Sequence, residues 1–314
     1  MKTLTITNHL AVVVLPLLLA QSLPAQQLQP TASNKIGLTL STESTGSGDS
    51  KLKGGDTTYS HVAIGNASWS LAQNIALDPG SSLTLGLAYS LTSIDEGNYK
   101  HFERDYSADR VPLPNDLQSL SLSIGCSNKL NDRWTLSSSI SVGSHVAKHR
   151  LLSKGWGDSG YLMASYTVSP ELTWVFGAAY DSMSHDWQYV PFVGVDWRPA
   201  EKWSVAIGFP KTAVTYELQK NLTMALAVSG AGGTYFIDED PRPGATSRSL
   251  ANSKLEYGEI RLGFETAWKI NDTFSLTGSV GSVLYREFKY IDRNYKLRSR
   301  DVAPFVSLGI SAAL

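Results

Sequence analysis

Leu83-Thr84-Leu85-Gly86-Leu87-Ala88-Tyr89-Ser90-Leu91-Thr92 decides the fold class, because every second residue is large and apolar and those between are small or polar. A repeat of two belongs to a strand, whose side chains alternate between faces; an amphipathic helix repeats every 3.6 residues. The pattern returns at Leu120, Leu122, Ile124 and Cys126, at Trp134, Leu136, Ile140 and Val142, at Leu222, Met224, Leu226 and Val228, and at Ile260, Leu262 and Phe264. One face of each strand is greasy, and the other carries Ser, Thr, Gly and Ala.

The connections between these strands alternate in length. Short polar turns fall at 78–80, 128–133, 169–171, 198–202, 218–221 and 271–272, each rich in Pro, Gly, Asn or charge. Longer polar stretches fall between them at 44–58, 94–116, 148–157, 232–253 and 288–300, with shorter ones near 182–187 and 210–211. Short turns at one end and long loops at the other are the habit of outer-membrane barrels. Trp69, Trp134, Trp174, Trp197, Trp203 and Trp268 are read as an aromatic belt at the turn end, and Trp156 and Trp187 are assigned to the loop end.

The expected fold is therefore all-β: a transmembrane antiparallel up-and-down β-barrel of about 14 strands, with 12 as the runner-up and both termini on the periplasmic side. Closure follows from the solvent, since hydrocarbon satisfies no backbone N–H or C=O and leaves no room for a sheet edge. The first strand is placed at 34–43, a short pair at 203–209 and 212–217, and the last strands at 273–287 and 301–314. The face register slips around Val62, Ile64, Ala67 and Trp69, which a bulge would reconcile.

The two ends of the chain suggest its route. Lys2, the apolar run from Leu10 to Ala20 and the small residues up to Ala25 resemble a secretory signal peptide, so 1–25 is read as the signal, 26–33 as a short periplasmic leader and 34–314 as the barrel. No Cys follows the apolar run, which argues against a lipid anchor. At the other end Val306, Leu308, Ile310, Ala312 and Leu314 alternate to the last residue, resembling the terminal strand read by the outer-membrane assembly machinery. A bacterial outer-membrane address, with membrane lipid and lipopolysaccharide as neighbours, is the expectation.

Composition excludes some functions. After loss of Lys2 the chain carries about 26 basic residues against 28 acidic ones, too even a balance to recruit nucleic acid. Cys126 is the only cysteine, so there is no intrachain disulfide and no thiolate pair for a metal. Oligomeric state is not legible.

Gly208-Phe209-Pro210-Lys211-Thr212, Tyr285-Arg286-Glu287-Phe288 and Ala303-Pro304-Phe305 resemble an uncharacterised family of bacterial outer-membrane β-barrel proteins, a domain of unknown function. The resemblance implies a barrel and an outer-membrane address, and it carries no catalytic residues.

Glu259, Arg261 and Glu265, with Lys269 beyond them, share the inward face of one strand and are the candidate lumen-lining binding residues. The competing reading is structural: inward charges that pair to stiffen the wall. His145 and His149 share a strand face, but solvated loop histidines explain them better than a metal site. His185-Asp186 invites a hydrolase reading, weakened because adjacent strand residues point to opposite faces. Asp238, Glu239 and Asp240 cluster without the spacing of a calcium loop. Tyr99, His101, Phe102, Arg104, Asp105, Tyr106 and Arg110 fall in a loop long enough to fold into the barrel mouth as a constriction. The expectation is a non-enzymatic, porin-like passive or weakly selective channel with no cofactor. A non-transporting structural or interaction barrel is the alternative, and an outer-membrane enzyme acting on lipid or peptide a remoter one.

Overall fold

A computed structural model describes residues 37–54, 57–96, 111–147, 151–185, 188–208, 211–244, 246 and 248–314. The expected signal and leader lie outside these residues.

The strands in chain order are β1 (Gly37–Gly54), β2 (Thr57–Asp78), β3 (Ser81–Asp95), β4 (Asp116–Lys129), β5 (Trp134–Ala147), β6 (Trp156–Ser169), β7 (Leu172–Asp181), β8 (Tyr189–Ala200), β9 (Trp203–Ile207), β10 (Lys211–Gln219), β11 (Leu222–Ile237), β12 (Ser253–Lys269), β13 (Phe274–Tyr290), β14 (Tyr295–Ser299) and β15 (Ala303–Ala313). A single 3-10 turn, Ile291–Arg293, joins β13 to β14. β14 and β15 are two halves of one wall strand, because both lie between β13 and β1. The wall is thus a closed antiparallel barrel of fourteen strands, sealed by β1 against β15 from Thr39↔Ala313 to Ser47↔Phe305.

The alternation read from the sequence is the inside and outside of this wall. Leu122, Ile140, Leu162, Val193, Leu226, Val280 and Leu308 are all exposed on the outer face. The intervening hydroxyls face inward and bond across strands: Ser90 to Ser119 at 2.7 Å, Asn66 to Thr92 at 2.8 Å and Ser127 to Ser137 at 3.1 Å. Cys126 sits on the outer face, with its Sγ 3.1 Å from Ser138 Oγ.

Two of the short turns are built alike. In 129–134 and 269–274, Asn131 and Asn271 each accept bonds from the backbone N–H groups two and three residues on, at 2.7–2.9 Å. Lys129 and Lys269 pair with Asp132 and Asp272, each at 2.9 Å. A short polar side chain that closes on its own backbone in this way makes a tight reversal. The start of β1 and the end of β15 lie at this turn end too, where Leu38 and Leu314 exchange backbone hydrogen bonds at 3.2 and 2.8 Å.

Most of the aromatic belt is where the turns placed it, with Trp134 tilted against Tyr166 and Trp203 against Tyr216. Trp69 departs from it: it lies well up β2, far from the turn after Asp78, stacked on Tyr89 across the strand pair. Trp156 begins β6 at the loop end, and Trp187 lies outside the described residues.

The wall is uneven in height. β1 runs to Gly54 and β13 to Tyr290, so 44–54 and 288–290, read from the sequence as loop, are strand. The Gly, Ser, Thr and Lys residues of 44–54 carry no apolar alternation, and pairing with β2 and β14 fixes their conformation instead, while Phe288 and Tyr290 continue the inward face of β13. The slip in β2 is a pair of register shifts opposite Ser47, Ser50 and Leu52. β6 to β10 stop lower. Above them β11 leans across and pairs in parallel with β5, Phe236 with Val146 and Ile237 with Ala147. The tall strands thereby close a second, narrower ring on top of the fourteen-stranded one.

Candidate functional site

The narrow upper ring is filled. Leu52, Tyr59, Val62, Ile94, Leu117, Ile237, Leu255, Phe288, Tyr290 and Leu297 point into it and belong to the largest apolar core among the described residues. Chain enters it as well: Val111, Pro112, Leu113 and Pro114, at the end of the long loop after β3, are all buried. Tyr59 Oη donates to Val111 O and Tyr290 Oη to Pro112 O, each at 2.7 Å, while Val111 N donates to Thr57 Oγ1 at 3.1 Å. Two prolines in four residues suit an inserted segment, since they reduce the backbone donors that need partners.

The end of this loop, 111–114, narrows the upper ring; it is not the part that the sequence reading singles out. Tyr99, His101, Phe102, Arg104, Asp105, Tyr106 and Arg110 lie outside the described residues. Glu96 anchors the base, accepting from Leu113 N at 3.2 Å and pairing with Arg242.

Directly beneath the apolar core lies a buried ionic cluster. Glu259 and Arg286 are both fully buried, and Arg286 Nε donates to Glu259 Oε1 at 2.6 Å. Arg261 Nε donates to the other carboxylate oxygen at 2.9 Å. The rest of the Arg286 guanidinium reaches β1 and β2, donating to Ser50 Oγ at 2.6 Å, to Val62 O at 3.2 Å and to Ser47 Oγ. One side chain thus ties four neighbouring strands, as a planar five-donor group can. Tyr257, stacked on Phe288 at 4.9 Å, turns its buried hydroxyl toward Glu259 without a well-formed hydrogen bond.

Lower down, the lumen is more open. Lys211 Nζ meets Glu265 Oε2 at 2.5 Å, with both side chains about a third exposed (35% and 30%). Glu43 accepts from Ser307 Oγ at 2.7 Å, and the Arg261 guanidinium lies 5.5 Å from the Phe305 ring centre. On the side of β6 to β8 the inward face mixes hydroxyls with apolar groups: Thr167 meets Thr173 at 3.4 Å, Val175 and Val190 are buried, and Phe192 covers Gly177, where a Cβ would collide with the ring.

Of the sequence candidates, Glu259 and Arg261 sit together in the buried cluster, Glu265 lies in the open lumen with Lys211, and Lys269 pairs at the turn with Asp272. Arg286 stands in the sequence reading only within the stretch that carries the family resemblance, and Ser47 and Ser50 are not among its candidates. The available signal for Arg286 was its phase, two and four residues before the inward Phe288 and Tyr290.

Among the described residues the remaining candidates are not brought together. His145 lies edge-on to Tyr235 with ring centres 6.4 Å apart, and His149 lies outside the described residues. His185 donates its backbone N–H to Glu256 at 3.3 Å, and Asp186 also lies outside. Asp238 pairs with Lys154, and Asp240 accepts from the backbone of Arg242 and Leu250. Among the described residues no three His, Cys, Asp or Glu gather as a metal site.

Three solved structures illustrate what the chain is similar to. An outer membrane channel from Pseudomonas putida F1 shares 10% identity at a TM-score of 0.49, over 90% of this chain and 97% of that one. A Pseudomonas aeruginosa FadL homologue shares 11% at 0.48, over 89% and 90%. The P. putida toluene transporter TodX shares 9% at 0.43, over 90% of each chain. Likenesses of this size decide nothing about what this chain binds. No curated protein matches it. A family model described as a domain of unknown function, DUF6268, matches residues 87–311, well over half of the chain, and the protein belongs to that family.

Proposed function

We propose that the protein is a bacterial outer-membrane channel of low, gated conductance, with its turn end and both termini in the periplasm and its sealed end outside. The carrying observation is the division of the lumen. A water-accessible lower chamber, lined by hydroxyls and the Lys211–Glu265 pair, lies under a core that closes the way out. A wall of fourteen strands encloses more space than small inward side chains fill, so the lower chamber admits solute. Its mixed charges favour small neutral or weakly charged molecules, with Arg261 and Glu265 facing them.

The outer-membrane address rests on the exposed apolar face and the belt of Trp134, Trp174, Trp197, Trp203 and Trp268. Lipid and lipopolysaccharide are then its neighbours, and the final strand to Leu314 is what the assembly machinery reads. The buried core also favours a second reading, a barrel that transports nothing. Planar-bilayer recording of refolded protein separates the two: brief, small openings support the channel, and complete silence across applied voltages supports the closed barrel.

A further inference from the structure

The tall wall gathers cations on its outer face. β1, β14 and β13 turn Leu52, Leu297 and Phe288 into the upper core, so the residues between them point outward. Lys53 partners Arg298 across β1 and β14, and Arg298 partners Glu287 across β14 and β13. Just below, Arg300 donates its backbone N–H to Lys51 O at 2.8 Å, which sets Lys51 and Arg300 side by side. Lys51, Lys53, Arg298 and Arg300 are all exposed.

Few carboxylates answer them. Glu287 accepts from Arg298 Nε at 2.8 Å and pairs with Lys296 at 3.2 Å, Asp301 accepts from the backbone of Lys51 at 2.6 Å, and Asp49 pairs with His61 at 3.2 Å. Among the described residues no carboxylate pairs with the side chain of Lys51, Lys53 or Arg300. At the same end of β3 and β4 the outward charges are Asp95 and Asp116, so the sign of the rim changes round the barrel.

This patch stands just above the hydrocarbon. Leu276 partners Trp268 of the belt, and the outward face of β13 then climbs through Val280 and Leu284, both exposed, to Glu287. At about 3.3 Å per residue and a tilt of about 40°, that climb is roughly 28 Å, against an apolar band of about 25 Å. The cations therefore lie where the headgroups of the exterior leaflet begin.

Beneath them the outer surface is hollow. Ser44 and Gly46 on β1 partner Ala67 and Gly65 on β2, and a Cβ built at Gly46 or Gly65 meets nothing within 4 Å. Val306 and Leu308, exposed on β15 beside Gly46 and Ser44, form one bank, and Leu91 on β3 forms the other. Trp69, stacked on Tyr89, closes the lower end, which gives the displaced tryptophan a place in the structure.

We infer that this face binds a lipopolysaccharide molecule, its anionic saccharide head on Lys51, Lys53, Arg298 and Arg300 and an acyl chain in the hollow below. A soluble polyanion engages the cations alone, and a neutral lipid the hollow alone. A ligand with phosphate or carboxylate set directly above acyl chains engages both. The two guanidiniums suit such oxygens, since charge-assisted bonds to them are the strong ones. The inference rests on the outer-membrane address and orientation of the proposed function, and not on conductance.

The test is fluorescence anisotropy of labelled deep-rough lipopolysaccharide titrated with the refolded protein in neutral detergent, with EDTA present to remove divalent bridges to Glu287 and Asp301. The quadruple variant Lys51→Gln/Lys53→Gln/Arg298→Gln/Arg300→Gln binds at least tenfold more weakly than the wild type. A charge-matched variant of the turn end, Arg133→Gln/Arg198→Gln/Lys202→Gln/Lys220→Gln, binds within twofold of it. Equal loss in both, or loss in neither, overturns the site. Gly46→Phe/Gly65→Phe fills the hollow and weakens binding at least threefold; unchanged affinity overturns the acyl seat. Phosphatidylglycerol in the same assay binds at least tenfold more weakly, and equal affinity overturns the assignment to lipopolysaccharide. Should the quadruple variant lose heat-modifiable migration, titration of the wild type at low and near-molar salt decides: binding that ignores salt overturns the cation contact. Silent bilayers together with tight binding at this face remove the channel reading and keep the site; conductance without such binding does the reverse.

Discussion

The two sides of this barrel are built from the same alternating pattern and reach different ends. The tall side, β1 to β5 and β11 to β15, rises above the rest, turns its inward residues into a core and locks it with Arg286 and Glu259. The low side, β6 to β10, holds no comparable core, and its ion pair, Lys211 with Glu265, is partly in water. Strand height decides what an inward side chain becomes. Above the low wall inward groups meet each other and pack; beside it they line a chamber.

Substitutions that probe the two sides should differ most at the buried charges. Arg286→Met leaves Glu259 with Arg261 alone and four strands untied, and should cost about 3–5 kcal/mol by urea unfolding of the refolded barrel. The matching change on the low side, Lys211→Met, breaks a screened pair and should cost about 0–1 kcal/mol. Equal losses would erase the distinction between the sides.

Next in size are the anchors of the inserted segment. Tyr59→Phe and Tyr290→Phe each remove a hydroxyl that holds the backbone of 111–112, at about 1 kcal/mol apiece. Hydrogen exchange at Leu113, whose N–H bonds Glu96, should quicken in both variants while exchange in β7 stays as it was.

Smaller still are the twin turns, which belong to neither chamber. Asn131→Ala removes two backbone-capping bonds at the surface and should lower stability by about 0.5–1 kcal/mol, with Asn271→Ala alike.

The smallest effect is in pH. Lys129 and Lys269 hold the Asp132 and Asp272 carboxyls below the usual aspartate range, through a hydrogen bond and charge. A lowered carboxyl stabilises the fold above its unfolded pKa, and that contribution disappears as the pH falls through the folded one. A shallow loss of stability should therefore appear only in the acid range, and Asp132→Asn with Asp272→Asn should flatten it.

Much of the wall was legible in residues whose chemistry repeats with the strand. Leu83 to Thr92 and Val306 to Leu314 declare both faces, and turns such as 271–272 declare the reversals. The upper ring was not legible, for physical reasons. In 44–54 Leu52 is the one large apolar residue and the rest are small, polar or charged, so alternation vanishes where the strand still continues. An extra residue on β13, Leu284, opposite Ile260 and Arg261, breaks the phase of that strand near the cluster that matters most. Val111-Pro112-Leu113-Pro114 shows no period at all, and its burial depends on Tyr59 and Tyr290, far away in the chain.

The central claim, that the tall side closes the axial route by packing, is tested most directly by single-channel recording of the wild-type protein beside the Tyr59→Phe/Tyr290→Phe double variant in the same planar bilayers. The account predicts small, infrequent openings in the wild type and clearly larger or more frequent ones in the variant. A wild type that conducts as a wide, steadily open pore, or a folded variant indistinguishable from it, would contradict the account.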